Sequence, residues 1–137
     1  MSWKNYWMRD INKIIVHCAD TPAGRDNNVN DIRRWHKARG WNDIGYHYVI
    51  TLDGTIQERR KEDVIGAHTS GNNKDSIGIC YIGGKEGDTR TNEQKASLVY
   101  LIGYLKNKYK KATVYGHKDF SSKLCPQFDA KNEYKSL

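Results

Sequence analysis

Apolar residues along the chain fall into several short runs and one longer periodic segment. Short apolar runs have the length of β-strands, and uninterrupted ones are typical of strands buried on both faces of a sheet. The predicted strands cover residues 11–18, 46–51, 55–59, 77–82 and 112–115. The periodic segment carries apolar side chains at spacings of three and four, which predicts an amphipathic helix. These apolar positions are Leu98, Leu101, Ile102 and Leu105.

Polar residues between these segments predict the turns and the helix ends. Asp53-Gly54 separates two predicted strands, and this dipeptide favours a β-hairpin with a type I′ turn, which needs positive φ. Residues 91–94, read TNEQ, form a capping box at the start of the periodic helix. Residues 30–38 are predicted to form a second helix, and residues 129–137 a short closing helix.

The alternation of strands and helices predicts an α/β fold with a central mixed β-sheet flanked by helices. With 137 residues and no repeat or linker, the chain is assigned to one domain over residues 1–137. The order of the strands does not follow from the pattern. No stretch approaches the ~20 apolar residues that cross a bilayer, and residues 1–12 lack the apolar core of a signal peptide. We therefore expect synthesis in the cytoplasm and no membrane insertion.

Charge and cysteine content narrow the function classes. The net charge of +7 favours a polyanionic partner, either nucleic acid or an anionic polymer such as a cell wall. The three cysteines are an odd number without a C-x-x-C pair, which favours reduced thiols over a disulfide framework. Cys18 and Cys80 belong to apolar strands and are expected in the core. Cys125 differs because it lies in a polar loop.

A candidate zinc site involves two predicted strands and the loop after the last of them. His17 ends the first apolar run, His117 follows the last run, and Cys125 comes eight residues later. If the two runs are neighbouring strands, both histidines meet at one end of the sheet and Cys125 completes a set of three ligands. Three protein ligands leave a fourth position for water, as in catalytic zinc sites. The same spacing is also compatible with a buried histidine and an unreactive buried cysteine.

The remaining histidines allow alternatives. His36 lies on the predicted helix 30–38 and is expected to be a packing or surface residue. His47 follows Tyr46 in a predicted strand, so only one of these two side chains is expected to face the site. His68 lies in a glycine-flanked loop, where a contact with substrate and an ordinary loop position are both compatible with the sequence.

Five sequence blocks occur in an order and spacing that resemble one known family. They are IIVHCADTP, RGWNDIGYHYVI, the Asp-Gly hairpin, GAHTSGNNKDSIGI and YGHKDFSSKLCP. Together they closely resemble the zinc-dependent N-acetylmuramoyl-L-alanine amidases of the phage T7 lysozyme type, which share a fold with the peptidoglycan recognition proteins. The resemblance covers about residues 13–128. It implies the amidase fold, a Zn²⁺ cofactor and peptidoglycan as the substrate.

The resemblance also implies roles for individual residues. The family's zinc ligands fall on His17, His117 and Cys125, the three candidates above. Its catalytic tyrosine falls on Tyr46 and its site lysine on Lys123. The histidine that lines the substrate groove falls on His68, and Asn73 matches a second substrate-binding position. Non-catalytic members often lack the cysteine found here at position 125, so its presence implies turnover.

The resemblance implies hydrolysis of the amide between the lactyl group of N-acetylmuramic acid and the first L-alanine of the stem peptide. A phage or prophage endolysin that lyses the cell wall is the preferred interpretation, and it would need a separate membrane-permeabilising protein to reach its substrate. A cytoplasmic amidase that recycles soluble muropeptides and a non-catalytic peptidoglycan-binding module are the alternatives. A nucleic-acid partner is not expected, because no recognised binding motif is present. The protein is expected to be a monomer.

Overall fold

The computed structural model describes residues 9–24, Arg34 and residues 45–137. The strands of these residues are β1 (Lys13–Cys18), β2 (Tyr48–Ile50), β3 (Ile56–Glu58), β4 (Ser76–Tyr81) and β5 (Thr113–Gly116). The helices are α1 (Asn92–Lys108) and α2 (Ala130–Glu133), and a 3₁₀ turn covers His117–Asp119. Of the predicted helix over residues 30–38, Arg34 is described and is helical, whereas the other positions, including His36, lie outside the described residues.

The five strands form one mixed sheet in the order β3-β2-β4-β1-β5. β1 runs parallel to both β4 and β5, and β2 runs parallel to β4, whereas β3 pairs antiparallel with β2. His17 therefore lies opposite Cys80, and Val16 opposite Gly116. Because parallel strands end at the same edge of a sheet, the last residues of β1, β4 and β5 lie side by side. The predicted mixed α/β sheet is confirmed.

The larger core lies on one face of the sheet, beneath α1 and α2. Alternate residues of β1 and β4 reach this face, because strand side chains point to opposite sides in turn. Helix α1 contributes the four predicted positions, and these are Leu98, Leu101, Ile102 and Leu105. Its capping box is also present, since the Thr91 hydroxyl accepts from the Gln94 N–H and the Gln94 amide oxygen accepts from the Thr91 N–H.

The opposite face of the sheet carries a smaller apolar cluster and the candidate site. Val49, Cys80 and Ile82 are fully buried there, with Tyr46 packed against them. His17 points to this side because its neighbours in β1, Val16 and Cys18, belong to the larger core. The smaller cluster therefore forms the floor on which the site is built.

The predicted β-hairpin is present, but its predicted turn type is wrong. A type I′ turn needs positive φ at both central residues, and in this loop only Gly54 has it, at 87°. Gly54 N–H donates to the Thr51 carbonyl, and Thr51 N–H donates to the Thr55 carbonyl. The Asp53 carboxylate accepts from the Thr51 hydroxyl and the Thr55 N–H. These side-chain bonds stabilise a longer loop that ends on a left-handed glycine.

Among the described residues, no helix has the length and apolar character that crossing a membrane requires. The assignment of residues 1–137 to a single domain stays a prediction.

Candidate functional site

The side chains of His17, His117 and Cys125 meet at the carboxyl end of the sheet. His17 is the penultimate residue of β1. His117 directly follows β5, the strand that runs parallel to β1 on one side. The Lys118 N–H donates to the Cys125 carbonyl at 2.7 Å, which folds the loop back toward the histidines. One ligand atom from each of the three residues lies within 4.8 Å of the others. Zinc bonds of about 2.0–2.3 Å at tetrahedral angles hold ligand atoms roughly 3.3–3.8 Å apart, so the three side chains would close slightly around one ion.

The donor set has the chemistry that zinc requires. Burial, followed by two neighbouring histidines, lowers the pKa of His17 well below its ordinary value. Burial and the Lys123 ammonium lower the pKa of His117. Both imidazoles are therefore neutral at pH 7, which is the form that binds metals. Without a cation, the contact with the Cys18 side chain and burial raise the pKa of the Cys125 thiol, although the Cys18 backbone N–H acts in the opposite direction. A bound divalent cation has the opposite effect, because it stabilises the thiolate.

Cys18 supports the site through its backbone. Its N–H donates to the Cys125 sulfur at 3.0 Å, a bond that favours the thiolate. Its side chain is only 5% exposed and belongs to the larger core, as expected, and Cys80 is fully buried. The sequence could not indicate the backbone contact, because every residue type except proline offers the same N–H.

A cleft of about 420 Å³ opens beside two of the candidate ligands, His117 and Cys125. Tyr46 and Lys123 lie on its walls together with His117 and Cys125. The Tyr46 ring centroid is 5.0 Å from that of His17. Burial raises the pKa of Tyr46 well above its ordinary value, so its phenol stays protonated and can donate a hydrogen bond. Lys123 is exposed at the cleft. The structure thus places both predicted catalytic residues on the same cleft as two of the candidate ligands.

His68 packs behind His17. Its Nδ1 lies 2.9 Å from His17 Nε2, and its Nε2 lies 3.2 Å from the Ser76 hydroxyl. Burial, followed by the neighbouring His47, lowers the pKa of His68 to about 3. Both ring nitrogens of His68 therefore have partners within the protein. Its contact with substrate stays a prediction.

Asn73 organises the loop that carries His68. Its side-chain oxygen accepts from the backbone N–H groups of His68 at 2.9 Å and Thr69 at 2.8 Å. Asn73 therefore holds the turn through which His68 approaches His17. A direct role of Asn73 in substrate binding stays a prediction.

Tyr46 lines the cleft and His47 does not, in agreement with the expectation that only one of these two side chains faces the site. Strand β2 begins only at Tyr48, and the rings of both residues lie near His68, at centroid distances of 6.4 Å and 6.0 Å. His47 is fixed by the backbone: its Nδ1 accepts from the Gly78 N–H, and its Nε2 lies 2.8 Å from the Val64 carbonyl. His47 also pairs with both neighbouring strands through its backbone, because its N–H donates to the Gly78 carbonyl and its carbonyl accepts from the Arg59 N–H.

Thr69 is a neighbour of the site that the sequence did not suggest. Its hydroxyl lies 3.2 Å from His17 Nε2 and 3.0 Å from His68 Nδ1, and the residue is only 2% exposed. A threonine beside a histidine in a loop is too common to indicate such a contact, and its direction depends on the turn that Asn73 closes.

Comparisons with known proteins show what this sequence is similar to. Residues 7–128 match the family described as N-acetylmuramoyl-L-alanine amidase. The endolysin of Escherichia phage T7 is 40% identical over 123 residues, which cover 86% of this chain and 82% of the endolysin.

Two solved structures have the same fold. The N-acetylmuramoyl-L-alanine amidase LysC from Clostridium intestinale URNW aligns with a TM-score of 0.80 at 34% identity, over 93% of this chain and 83% of that chain. Wild-type Drosophila PGRP-LB aligns with a TM-score of 0.79 at 28% identity, over 95% of this chain and 83% of that chain. The family match includes all five strands and the three candidate ligands.

Proposed function

The chain belongs to the N-acetylmuramoyl-L-alanine amidase family and hydrolyses peptidoglycan as an amidase, and we propose that His17, His117 and Cys125 hold the zinc ion on which this reaction depends. The observation that carries the proposal is the meeting of two neutral imidazoles and one thiol within 4.8 Å, beside an open cleft. The bond cleaved is the amide between N-acetylmuramic acid and L-alanine.

Amide hydrolysis needs an activated nucleophile and stabilisation of a tetrahedral oxyanion. When bound, zinc activates water and polarises the substrate carbonyl. Cys125 would hold the zinc as a thiolate, which would make the bound metal less electrophilic than a third imidazole would, so hydrogen-bond and charge donors from the protein would matter more.

Tyr46 and Lys123 are the donors that the cleft offers. The protonated phenol of Tyr46 donates a hydrogen bond to the attacking water or to the oxyanion, or exchanges a proton with them. The ammonium of Lys123 stabilises the negative charge that develops on the carbonyl oxygen. Both contributions are larger in the transition state than in the ground state, which is the condition for catalysis.

Lysis of the cell wall is the biological activity we infer from the similarity to phage endolysins. The net charge of +7 suits an anionic wall polymer, because it attracts the enzyme to its substrate at low ionic strength. Access to the wall through a separate membrane-permeabilising protein is part of this proposal.

The type of bond cleaved is tested by analysing digested peptidoglycan. New amino termini of L-alanine should appear while reducing sugar ends stay at background. Glycosidases need two suitably spaced carboxylates, and none of the recognised sequence blocks offers such a pair. A zinc chelator should abolish amine release, and added zinc should restore it. New reducing ends without new amines would overturn the amidase assignment, and activity that persists after complete metal removal would overturn the zinc proposal.

The lytic role is tested by comparing two substrates. Turnover of intact sacculi should exceed turnover of soluble muropeptides, with the Cys125→Ala variant as the inactive control. The opposite preference would favour a cytoplasmic recycling amidase.

A further inference from the structure

Three polar atoms form a triangle beside the candidate metal site. His17 Nε2 lies 2.9 Å from His68 Nδ1 and 3.2 Å from Thr69 Oγ1, and the last two atoms are 3.0 Å apart. His17 and Thr69 are 1% and 2% exposed, so the contact between them is shielded from water, and His68 is half-buried. No step of the proposed reaction uses Thr69.

The two contacts of His17 Nε2 bear on which nitrogen of His17 carries its hydrogen. A neutral imidazole has one N–H and one nitrogen lone pair, and a metal takes the lone pair. His17 Nε2 faces a nitrogen and a hydroxyl oxygen, so this atom is engaged within the protein. If Nε2 carries the hydrogen and donates it there, Nδ1 is left with the lone pair.

A consistent set of donors continues beyond His17. When His68 accepts at Nδ1, its own hydrogen sits on Nε2, which lies 3.2 Å from the Ser76 hydroxyl. His68 Nδ1 has one lone pair, so it accepts one hydrogen, either directly from His17 or from the Thr69 hydroxyl, which in turn accepts from His17. In the second arrangement every group in the chain from His17 to Ser76 is satisfied without a charge.

We propose that Thr69 and His68 are positioning residues that accept the Nε2 hydrogen of His17 and so present His17 Nδ1 to the metal. This inference rests on the proposed zinc site. A metal-binding histidine generally donates its other N–H to a fixed acceptor, and loss of that acceptor typically costs about 10- to 100-fold in metal affinity.

The acceptors are held rigidly from two sides. Asn73 fixes the backbone of both residues through its side-chain oxygen. The His68 ring packs directly on the sheet, because a Cβ added to Gly78 would lie 2.6 Å from its Cδ2, and one added to Gly66 would lie 2.7 Å from it. Such close approach is possible only at glycine. The loop and the ring are both held by other parts of the protein, so Thr69 and His68 keep fixed positions next to His17.

The test measures the zinc dissociation constant by competition with a chromophoric chelator. Thr69→Val removes the hydroxyl at nearly constant volume and should raise the dissociation constant about tenfold or more. Thr69→Ser keeps the hydroxyl and should bind zinc nearly as the wild type does. His68→Asn should also weaken zinc binding. Thr51→Val is the matched control, because Thr51 is a buried threonine whose hydroxyl bonds Asp53 away from the site.

The outcomes separate this inference from the proposed function. Unchanged zinc affinity in Thr69→Val, or an equal loss in Thr51→Val, would overturn the positioning role while wild-type zinc binding still stands. Absence of zinc binding by the wild type would instead overturn the proposed function. If His68→Asn binds zinc normally but raises KM, His68 contacts substrate and the positioning role is wrong for it. Circular dichroism of the apoproteins checks that each variant is folded.

Discussion

At the scale of single residues, Cys125 is the candidate ligand whose position depends most on backbone hydrogen bonds. Its sulfur accepts the Cys18 N–H, and its carbonyl accepts the Lys118 N–H, so two backbone bonds fix the loop around it. The two histidines need less support of this kind, because one lies within β1 and the other directly follows β5. Removal of the thiol should therefore affect the metal more than the fold.

Zinc content distinguishes Cys125 from the other two cysteines. After dialysis, elemental analysis of the wild type should find about one zinc per chain, and Cys125→Ala should lose most of it. Cys18→Ala and Cys80→Ala are the controls and should keep their zinc, because Cys80 belongs to the smaller apolar cluster and Cys18→Ala keeps the backbone N–H that bonds the Cys125 sulfur. Metal loss in either control together with retention in Cys125→Ala would contradict the ligand assignment.

Tyr46 and Lys123 are expected to matter for turnover and not for metal binding. Tyr46→Phe and Lys123→Ala should each keep zinc but lose about 10²–10³ in turnover, the typical effect of removing an oxyanion donor. Amine release and zinc content are measured on the same samples. Tyr100→Phe and Lys110→Ala alter exposed residues outside the cleft and should stay within a few-fold of wild type. Near-normal turnover in both site variants would leave the metal and its water as the only catalytic parts.

At the scale of elements, the glycine in β4 is required by its neighbours and the glycine in α1 is not. Gly78 in β4 leaves room for the His68 ring, whereas Gly103 in α1 has open space where a Cβ would be. A methyl group at Gly78 must displace the ring or the strand, but a methyl group at Gly103 meets nothing. The two glycines therefore separate a packing requirement from a simple backbone effect.

Alanine at these two positions should change stability in opposite directions. Gly103→Ala should raise the free energy of unfolding by roughly 0.5–1 kcal/mol, because alanine is the better helix former. Gly78→Ala should lower it by about 1–3 kcal/mol through overpacking, and should weaken zinc binding as His68 moves. Urea denaturation with and without zinc measures both effects. A Gly78→Ala protein with wild-type stability and zinc affinity would show that the ring is free to shift.

At the scale of the whole molecule, Arg90 ties the segment before α1 to the C-terminal helix. Its guanidinium bonds Asp88 and Glu133, both at 2.8 Å, and its Cζ lies 3.4 Å from the centroid of the Phe128 ring. The arginine side chain is only 3% exposed. These bonds lower the pKa of both carboxyl groups. Arg90 thus joins parts of the chain that the sheet does not connect.

Replacement of Arg90 should reduce both stability and its dependence on pH. Arg90→Met should cost about 2 kcal/mol at pH 7, because two charge-assisted bonds are lost. Since the folded-state pKa values of Asp88 and Glu133 lie below 3.8 and 4.5, the unfolded chain binds more protons in acid. Wild-type stability should therefore fall as the pH drops below about 5, and the fall should be smaller in Arg90→Met. Urea midpoints at pH 7 and pH 4 measure this, and equal falls would contradict it.

The sequence by itself determined the strands, helix α1 and the identity of the candidate ligands. Buried strands and amphipathic helices leave local patterns, because each element must bury its own apolar side chains. The capping box before α1 is local in the same way, since both of its residues lie within one turn. The types of ligand, two histidines and a cysteine after apolar runs, were also visible without any knowledge of strand order.

Only the tertiary structure decided which side chains meet. β1 lies between β4 and β5 because residues far apart in the chain pair with each other. A local pattern of apolar and polar residues does not show which strands will pair. The direction of a loop side chain depends on hydrogen bonds that close its turn, as Asn73 does for His68 and Thr69. For this reason His68 could be assigned to the site region from its sequence block, whereas its contact with His17 required the folded chain.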